Sequence, residues 1–285
     1  MKKIFFVLMA AAAVLTVSCK KDGKGDNNGD NDGQNALAKP EYRIKTMVNN
    51  WEDTWTFSYD AQGRVNDVTR GEASKHWIFN YKSATALEIN REEGNKLLYE
   101  ITLNDKGYAS VIKDYSGSAT KTYAYEYDAN GFMTKCTVDG AEKTMQTIVD
   151  GNVEHWDRVG LTLENGTILW REKRHEYYSN PNKGGIHTEW AEDAQMDRWF
   201  WETGLLGRPS VSVCKTAWWW GIKDEENMVI KDEFAPKLAY YPLELDANGC
   251  VAKETKCYDT AEKFDSDPSS MDAEGYYTFT YEKIK

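Results

Sequence analysis

"YEYDANGFMTKC", residues 125–136, decides the fold of this chain. Aromatic and polar residues alternate, Asp-x-x-Gly follows, and a second apolar-polar run begins at once. The same grammar recurs in "FSYDAQGRVNDV" at 57–68, "ITLNDKGYASVI" at 101–112 and "LELDANGCVAKE" at 243–254. Aligned on the aspartate, one column reads Asp60, Lys82, Asn104, Asp128 and Asp150, at spacings of 22, 22, 24 and 22 residues. The residue before it is Tyr59, Tyr81, Leu103, Tyr127 or Val149. Two residues earlier stand Phe57, Phe79, Ile101, Tyr125 and Thr147, with mostly polar residues between. Such period-two alternation turns one face of a strand to a core and the other to water. Gly63, Gly107 and Gly131 stand three residues after the turn column, where a tight turn needs a residue tolerant of positive φ.

A period of about 22 residues holds two strands of ~5–6 residues and two short connections. Each repeat is therefore a β-hairpin, and the series predicts an all-β fold: a curved antiparallel meander, half-open or closed into a barrel, with one helix. The aspartates and glycines read as turn chemistry rather than a catalytic or metal site, because they lie at successive hairpin tips with no partner histidine. Tyr-Asp-x-x-Gly-Arg also resembles the YD repeats of large hollow toxin shells. Those shells need many copies, so the likeness reads as shared hairpin grammar.

After residues 152–178 the meander blurs, although Glu164-Asn165-Gly166 supplies one more hairpin turn. "HTEWAEDAQMDRWFWETG", 187–204, holds no proline and few β-branched residues. It reads as one helix capped by Gly204. Trp190, Ala194 and Trp201 recur at helical spacing, Met196, Trp199 and Phe200 widen the apolar stripe, and the helix is expected to cover the concave face of the sheet. The stretch from 205 to 237 reads as irregular, and strand grammar returns at 238–258 and 275–284. The expectation is a single β domain over 40–285 with a helical or irregular insertion around 187–235.

The N-terminus reads as a processing signal. Lys2 and Lys3 precede "IFFVLMAAAAVL" at 4–15, twelve apolar residues and too few to span a bilayer, and "TVSC" follows. This is the pattern of a bacterial lipoprotein signal, with Thr16 where leucine is usual. Residues 1–18 are then the signal peptide and Cys19 the lipid attachment site, whose acyl chains contribute about 0.8 kcal/mol per buried methylene. Residues 19–39 are the acylated cysteine and a polar Asp/Asn/Gly-rich tether. That stretch has too little apolar surface to fold, and it fails the EF-hand pattern at Asn31. Lys20 rather than Asp follows the cysteine, so the inner-membrane retention signal is missing. The expected location is the outer membrane, with its face left open and the acid-rich run favouring the surface.

The chain has 11 Trp, 17 Tyr and 9 Phe, enough for a sizeable core. Its formal charge is −11, and removal of Lys2 and Lys3 makes it −13. So acidic a chain repels nucleic acid and anionic lipid surfaces. Cys136, Cys214, Cys250 and Cys257 match no zinc spacing and allow three disulfide pairings; Cys250 and Cys257, an odd number apart, would face opposite sides of one strand.

The order of parts resembles a family of lipoproteins from anaerobic gut commensals, which is without an assigned function and is described as having a porin-like fold. The likeness covers residues 40–285. It rests on the signal and tether, Tyr-Asp-x-x-Gly at 59–63 and 127–131, "TGLLGRP" at 203–209, "LELDANGCVAKET" at 243–255 and "YYTFTYEK" at 276–283. "AWWWGIKDEENMVIKDEF" has no place in that pattern. The resemblance implies a β fold and an envelope location, and carries no catalytic residues.

An enzyme is the weaker reading. His76, His155, His175 and His187 form no zinc-protease motif, and there is no nucleophile elbow or phosphate loop, although so acidic a chain leaves a hydrolase's carboxylate pair open. No cofactor or metal is expected. A non-catalytic binding module for a glycan or another polar ligand is the stronger reading, with an envelope structural or assembly protein as the alternative. Trp218, Trp219 and Trp220 cannot all face one side of a strand. With Trp199 they are the candidate ligand-binding residues, "AWWWG" forming a rim for a neutral polyhydroxylated ligand. The expected partners are the membrane, through the lipid, and a glycan or an envelope protein.

Overall fold

Where the sequence alternates, the backbone is extended. The computed structural model describes residues 37, 39–71, 75–162, 168–187, 196–223, 229–230 and 237–285. Nine strands form consecutive hairpins: β1 (Tyr42–Asn49), β2 (Thr54–Tyr59), β3 (Val65–Arg70), β4 (His76–Ser83), β5 (Ala86–Arg91), β6 (Lys96–Leu103), β7 (Ala109–Asp114), β8 (Lys121–Tyr127) and β9 (Met133–Val138). Four longer ones follow, β10 (Ala141–Val149), β11 (Asn152–Thr162), β12 (Ile168–Pro181) and β13 (Ser212–Lys223). The remainder are β14 (Val229–Ile230), β15 (Lys237–Tyr240), β16 (Leu243–Leu245), β17 (Val251–Thr260) and β18 (Ala273–Lys283). Each strand pairs antiparallel with the next as far as β13, which passes to β15, then β17, then β18. β1 pairs with β2 on one side and β18 on the other, so sixteen strands close into a barrel without an edge. β14 extends the far end of β13, and β16 continues along β17 past Pro242.

The turn column behaves as its chemistry dictates. The side-chain oxygens of Asp60, Asn104, Asp128 and Asp246 each accept from the backbone N–H two and four residues on, at 2.8–3.0 Å. Gly131 then takes φ +91°, where any side chain would be strained. Just past four of these turns the register slips by a bulge, at Val65, Ala109, Val153 and Val251. A bulge leaves a residue outside the ladder. The tyrosine of a later strand answers it: Tyr81 Oη donates to Val65 O at 3.2 Å, Tyr127 to Ala109 O at 2.7 Å, Tyr177 to Val153 O at 2.7 Å and Tyr281 to Val251 O at 2.7 Å. Burial pushes the Tyr81 hydroxyl up to about 12, and those of Tyr127 and Tyr281 higher still, so all three remain donors. In Tyr127-Asp128-x-x-Gly131 one motif thus specifies both a turn and a clasp on the hairpin before it.

In an antiparallel meander the connections alternate between two ends. The Asp-x-x-Gly hairpins share one end with the long β12–β13 connection. The β1–β2, β3–β4 and β17–β18 connections share the other, here called the mouth. The long connection fills the barrel. Asn182 pins its two legs together, accepting from Ile186 N and donating to Ile186 O and Ser210 O. The returning leg bonds to the wall through Ala109 N to Leu205 O at 2.8 Å and Arg208 N to Gly131 O at 2.9 Å. Gly207 makes this approach possible, since a Cβ there would lie 2.8 Å from Gly131 O.

Three expectations are corrected here. Among the described residues of 187–204 the helix is confined to α1 (Arg198–Trp201); 188–195, with Trp190 and Ala194, lie outside the described residues. All four residues of α1 are buried, so packing inside the barrel rather than helix length sustains the turn. The stretch after Gly204 is not irregular throughout, because β13 runs through Trp218, Trp219 and Trp220, paired to β12 over 212–223 with a bulge at Trp220. A second helix, α2 (Ala261–Ser266), occupies the β17–β18 connection.

The barrel is apolar within and polar without. Phe57, Phe79, Leu87, Ile89, Ile101, Ile112, Tyr125 and Phe279 meet α1 in one continuous core. The outer faces carry Ser58, Lys82, Thr102, Lys113, Glu126, Thr147 and Thr280, all exposed. Ion pairs cross the strands there, Lys113–Glu100 at 3.4 Å, Lys135–Glu142 at 2.5 Å and Lys82–Glu88 at 2.9 Å.

Candidate functional site

Five residues before the turn column the repeat places Trp55, Trp77, Tyr99 and Tyr123. Inward alternation turns them toward the core near the mouth, where α1 is seated on them. Trp199 stacks on Trp77 with ring centroids 4.6 Å apart, and Phe200 meets Tyr99 edge-on at 5.6 Å. Truncating a tryptophan packed in this way costs about 3–5 kcal/mol.

Beside this stack lies a cleft of about 540 Å³. Its wall comes from the mouth ends of β1 (Met47, Asn49), β2 (Trp55), β3 (Arg70), β4 (Trp77) and β18 (Tyr277), and its floor from Met196, Asp197, Arg198 and Trp199. Trp77 and Tyr277 are half-buried; Trp55 and Trp199 are buried. Arg70 lies over the Trp55 ring, 4.8 Å from its centroid, and is paired with Asp53. That hydrogen bond holds the Asp53 carboxyl below the usual carboxylate range. Two donors in the cleft wall, Trp55 Nε1 and Arg70 Nε, are buried and have no hydrogen-bond partner among the described residues. A buried donor left unpaired costs about 1–3 kcal/mol, which an acceptor oxygen would recover.

Under the cleft floor lies a buried ionic cluster. Arg198 Nη1 and Nη2 donate to Glu254 at 2.7 and 3.0 Å, while its Nε reaches Glu202 at 3.2 Å. The Arg198 guanidinium also lies 4.4 Å from the Tyr277 ring centroid. Glu254 grips the arginine in a fork, so Arg198 stays charged, and the pair ties α1 to β17. Glu202 gains less from Arg198 and from His187 N than it loses by burial, and its carboxyl is pushed up to about 7. Of the charges beside the cleft, Arg70 pairs with Asp53 and Arg198 with Glu254, which leaves the Asp197 carboxylate in excess; it accepts from Trp199 Nε1 at 3.3 Å.

Of the residues singled out from sequence, Trp199 lies in this cleft. Trp218 does not. Strand alternation turns it to the face opposite Ala217, where it packs against Leu238, Cys257 and Met271 with Phe264 of α2, and its Nε1 donates to Thr216 Oγ1 at 3.2 Å. The side chains of Trp219 and Trp220, and the whole of Cys19, lie outside the described residues. Trp55, Trp77, Arg70 and Tyr277 were missed, although Trp55 and Trp77 share one column of the repeat. Cys136, Cys214, Cys250 and Cys257 are all buried, and burial pushes the Cys136 thiol up to about 12. Among the described residues one group, His155, Asp157 and Glu172, brings three metal-type donor atoms within 4.8 Å of one another. Arg174 Nε donates to Glu172 Oε1 at 2.7 Å, so a cation already holds that oxygen and the group is an ion-pair network.

Comparison with solved structures gives the architecture its relatives. A porin-like protein from Bacteroides uniformis superposes with a TM-score of 0.53 at 15% identity, over 86% of this chain and 100% of that one. A porin-like protein from Bacteroides vulgatus does so with a TM-score of 0.53 at 12% identity, over 85% and 100%. This chain has a porin-like fold. No protein-family model and no curated protein matches the sequence. The porin-like barrel here is filled by its own chain, and its charged outer wall differs from the apolar band, about 25 Å tall, that a membrane-spanning barrel presents to lipid.

Proposed function

We propose that this protein is a non-catalytic binding module of the cell envelope, held at the outer membrane by lipid on Cys19, whose mouth cleft takes a neutral glycan. The observation that carries the reading is the cleft itself: aromatic walls with two buried, unpartnered N–H donors. Concave sites of about 300–1,000 Å³ with aromatic walls and a few fixed polar groups are the usual ligand sites of proteins. Sugar rings offer apolar C–H faces to Trp77 and Tyr277, and hydroxyl oxygens as acceptors for Trp55 Nε1 and Arg70 Nε. Both arginines beside the cleft are already paired and Asp197 adds a further carboxylate, which favours an uncharged ligand over an anion. The polar outer wall supports attachment by an anchor rather than by the barrel, because burying its ion pairs in hydrocarbon is costly.

The test is a glycan array probed with wild type, Trp77→Ala and Arg70→Gln. Wild type is expected to bind a neutral glycan, and both variants to lose at least tenfold in affinity while remaining folded by circular dichroism. Failure of wild type to bind any glycan overturns the reading. Mass spectrometry of the N-terminal peptide tests the anchor: an acylated Cys19 is expected, and an unmodified mature terminus at another residue contradicts it.

A further inference from the structure

We infer that the cleft holds the end of a chain-like ligand, a neutral oligosaccharide, and that Trp51 carries the next sugar unit outside the cleft. The inference rests on the glycan reading and adds its length and a second subsite. Trp51 is 75% exposed, the most exposed large apolar side chain among the described residues. Single exposed apolar residues are common and need no explanation by themselves. Trp51 is set apart by its mount.

The β1–β2 turn that bears it is held by four hydrogen bonds. Asn49 Oδ1 accepts from Trp51 N and Asp53 N, each at 3.0 Å. Glu52 N donates to Asn49 O at 3.0 Å and Asn49 N to Asp53 O at 3.1 Å. Glu52 adopts φ +64°, a left-handed backbone that non-glycine residues seldom take and that costs on the order of 1–2 kcal/mol. The same turn is built into the cleft: Asn49 lines it, Asp53 pairs with Arg70, and Trp55 follows two residues later. An exposed aromatic is therefore carried on a hydrogen-bonded turn whose backbone also supplies part of the cleft's own wall.

An indole has only two side-chain torsions to fix when a ligand covers it, a small entropic cost that suits a stacking subsite. A protein partner is a poorer fit. Among the described residues the other exposed large apolar side chain near the mouth is Tyr276, 37% exposed, while Val149, Leu245 and Ile284 lie at the opposite end. Two such side chains fall far short of the roughly 800 Å² per partner that a stable protein interface buries. A chain of sugars needs no more than one flat aromatic per unit.

The test is isothermal titration calorimetry with glucose, galactose, mannose and N-acetylglucosamine, and with their linear di- and tetrasaccharides, on wild type, Trp51→Ala and Trp51→Phe. At least one tetrasaccharide is expected to bind wild type about tenfold more tightly than its monosaccharide. Trp51→Ala should remove that advantage while leaving monosaccharide affinity and melting temperature unchanged, and Trp51→Phe should restore part of it. Equal affinity for monosaccharide and tetrasaccharide in wild type, or an advantage that survives Trp51→Ala, overturns the inference and leaves the glycan reading standing. Binding of no saccharide overturns both.

Discussion

Glu202 ties the stability of the barrel to pH in a direction opposite to that of most carboxylates. Its ordinary value is 4.5, and burial pushes it up to about 7 in the folded protein. Between those values the folded state holds a proton that the unfolded chain has released. Stability from this group is therefore fully present below pH 4.5 and is lost as pH rises through about 7. At 1.36 kcal/mol per pH unit the loss is on the order of 3 kcal/mol. Glu202→Gln keeps an acceptor for Arg198 Nε and for His187 N, which donates to the carboxylate at 3.2 Å, and removes the titration. The assay is urea unfolding of both proteins at intervals from pH 4 to pH 8, with a check that the m-value stays constant. The stability of wild type relative to the variant should fall by about 3 kcal/mol across that range. Parallel curves would show that Glu202 titrates normally and that the cluster under the cleft is wetter than its burial implies.

Other consequences are as specific. Arg198→Met leaves Glu254 buried without its partner and should cost about 3–5 kcal/mol, read as a lower urea midpoint. Tyr127→Phe leaves Ala109 O without its clasp and should cost about 1–3 kcal/mol, with Tyr81→Phe similar or smaller because its bond is longer, 3.2 Å against 2.7 Å. Gly131→Ala forces a side chain into left-handed backbone, with its Cβ 2.6 Å from Tyr108 Cε2; thermal melts should show a loss of about 1–2 kcal/mol from the backbone alone.

Local grammar carried the hairpins. The alternation around Phe57 and Tyr125, the Asx bonds of Asp60 and Asp128, and Gly131 at positive φ are all decided within a few residues, so the chain states them openly. The clasp was half legible: the tyrosine column was visible, but its acceptor is set by a bulge in another hairpin. Closure through β1 and β18 joins residues that lie almost the whole domain apart in sequence, Asn49 with Tyr277 and Tyr42 with Lys283, where nothing local distinguishes a closed barrel from a half-open one. Trp218 of "AWWWG" was hard to place for a related reason. A run of aromatics looks like a surface feature, yet Trp218 is covered by Phe264 and Met271, which lie about 50 residues later. The cleft was harder to see because its parts come from five strands and the plug. Trp55 and Trp77 could have been found by reading one more column of the repeat; Arg70 and Arg198 carry no periodic signal.

The central claim is that the mouth cleft receives a neutral glycan through Trp55 and its neighbours. Nuclear magnetic resonance of the tryptophan indole N–H groups tests it most directly, with each resonance assigned by single Trp→Phe variants and the protein titrated with neutral oligosaccharides. The Trp55 signal should shift with saturation as its Nε1 gains an acceptor, and the Trp77 and Trp199 signals should follow, while Trp156 and Trp201, buried in the barrel and outside the cleft, stay in place. Saturable shifts confined to other tryptophans, or none with any oligosaccharide, would contradict the account.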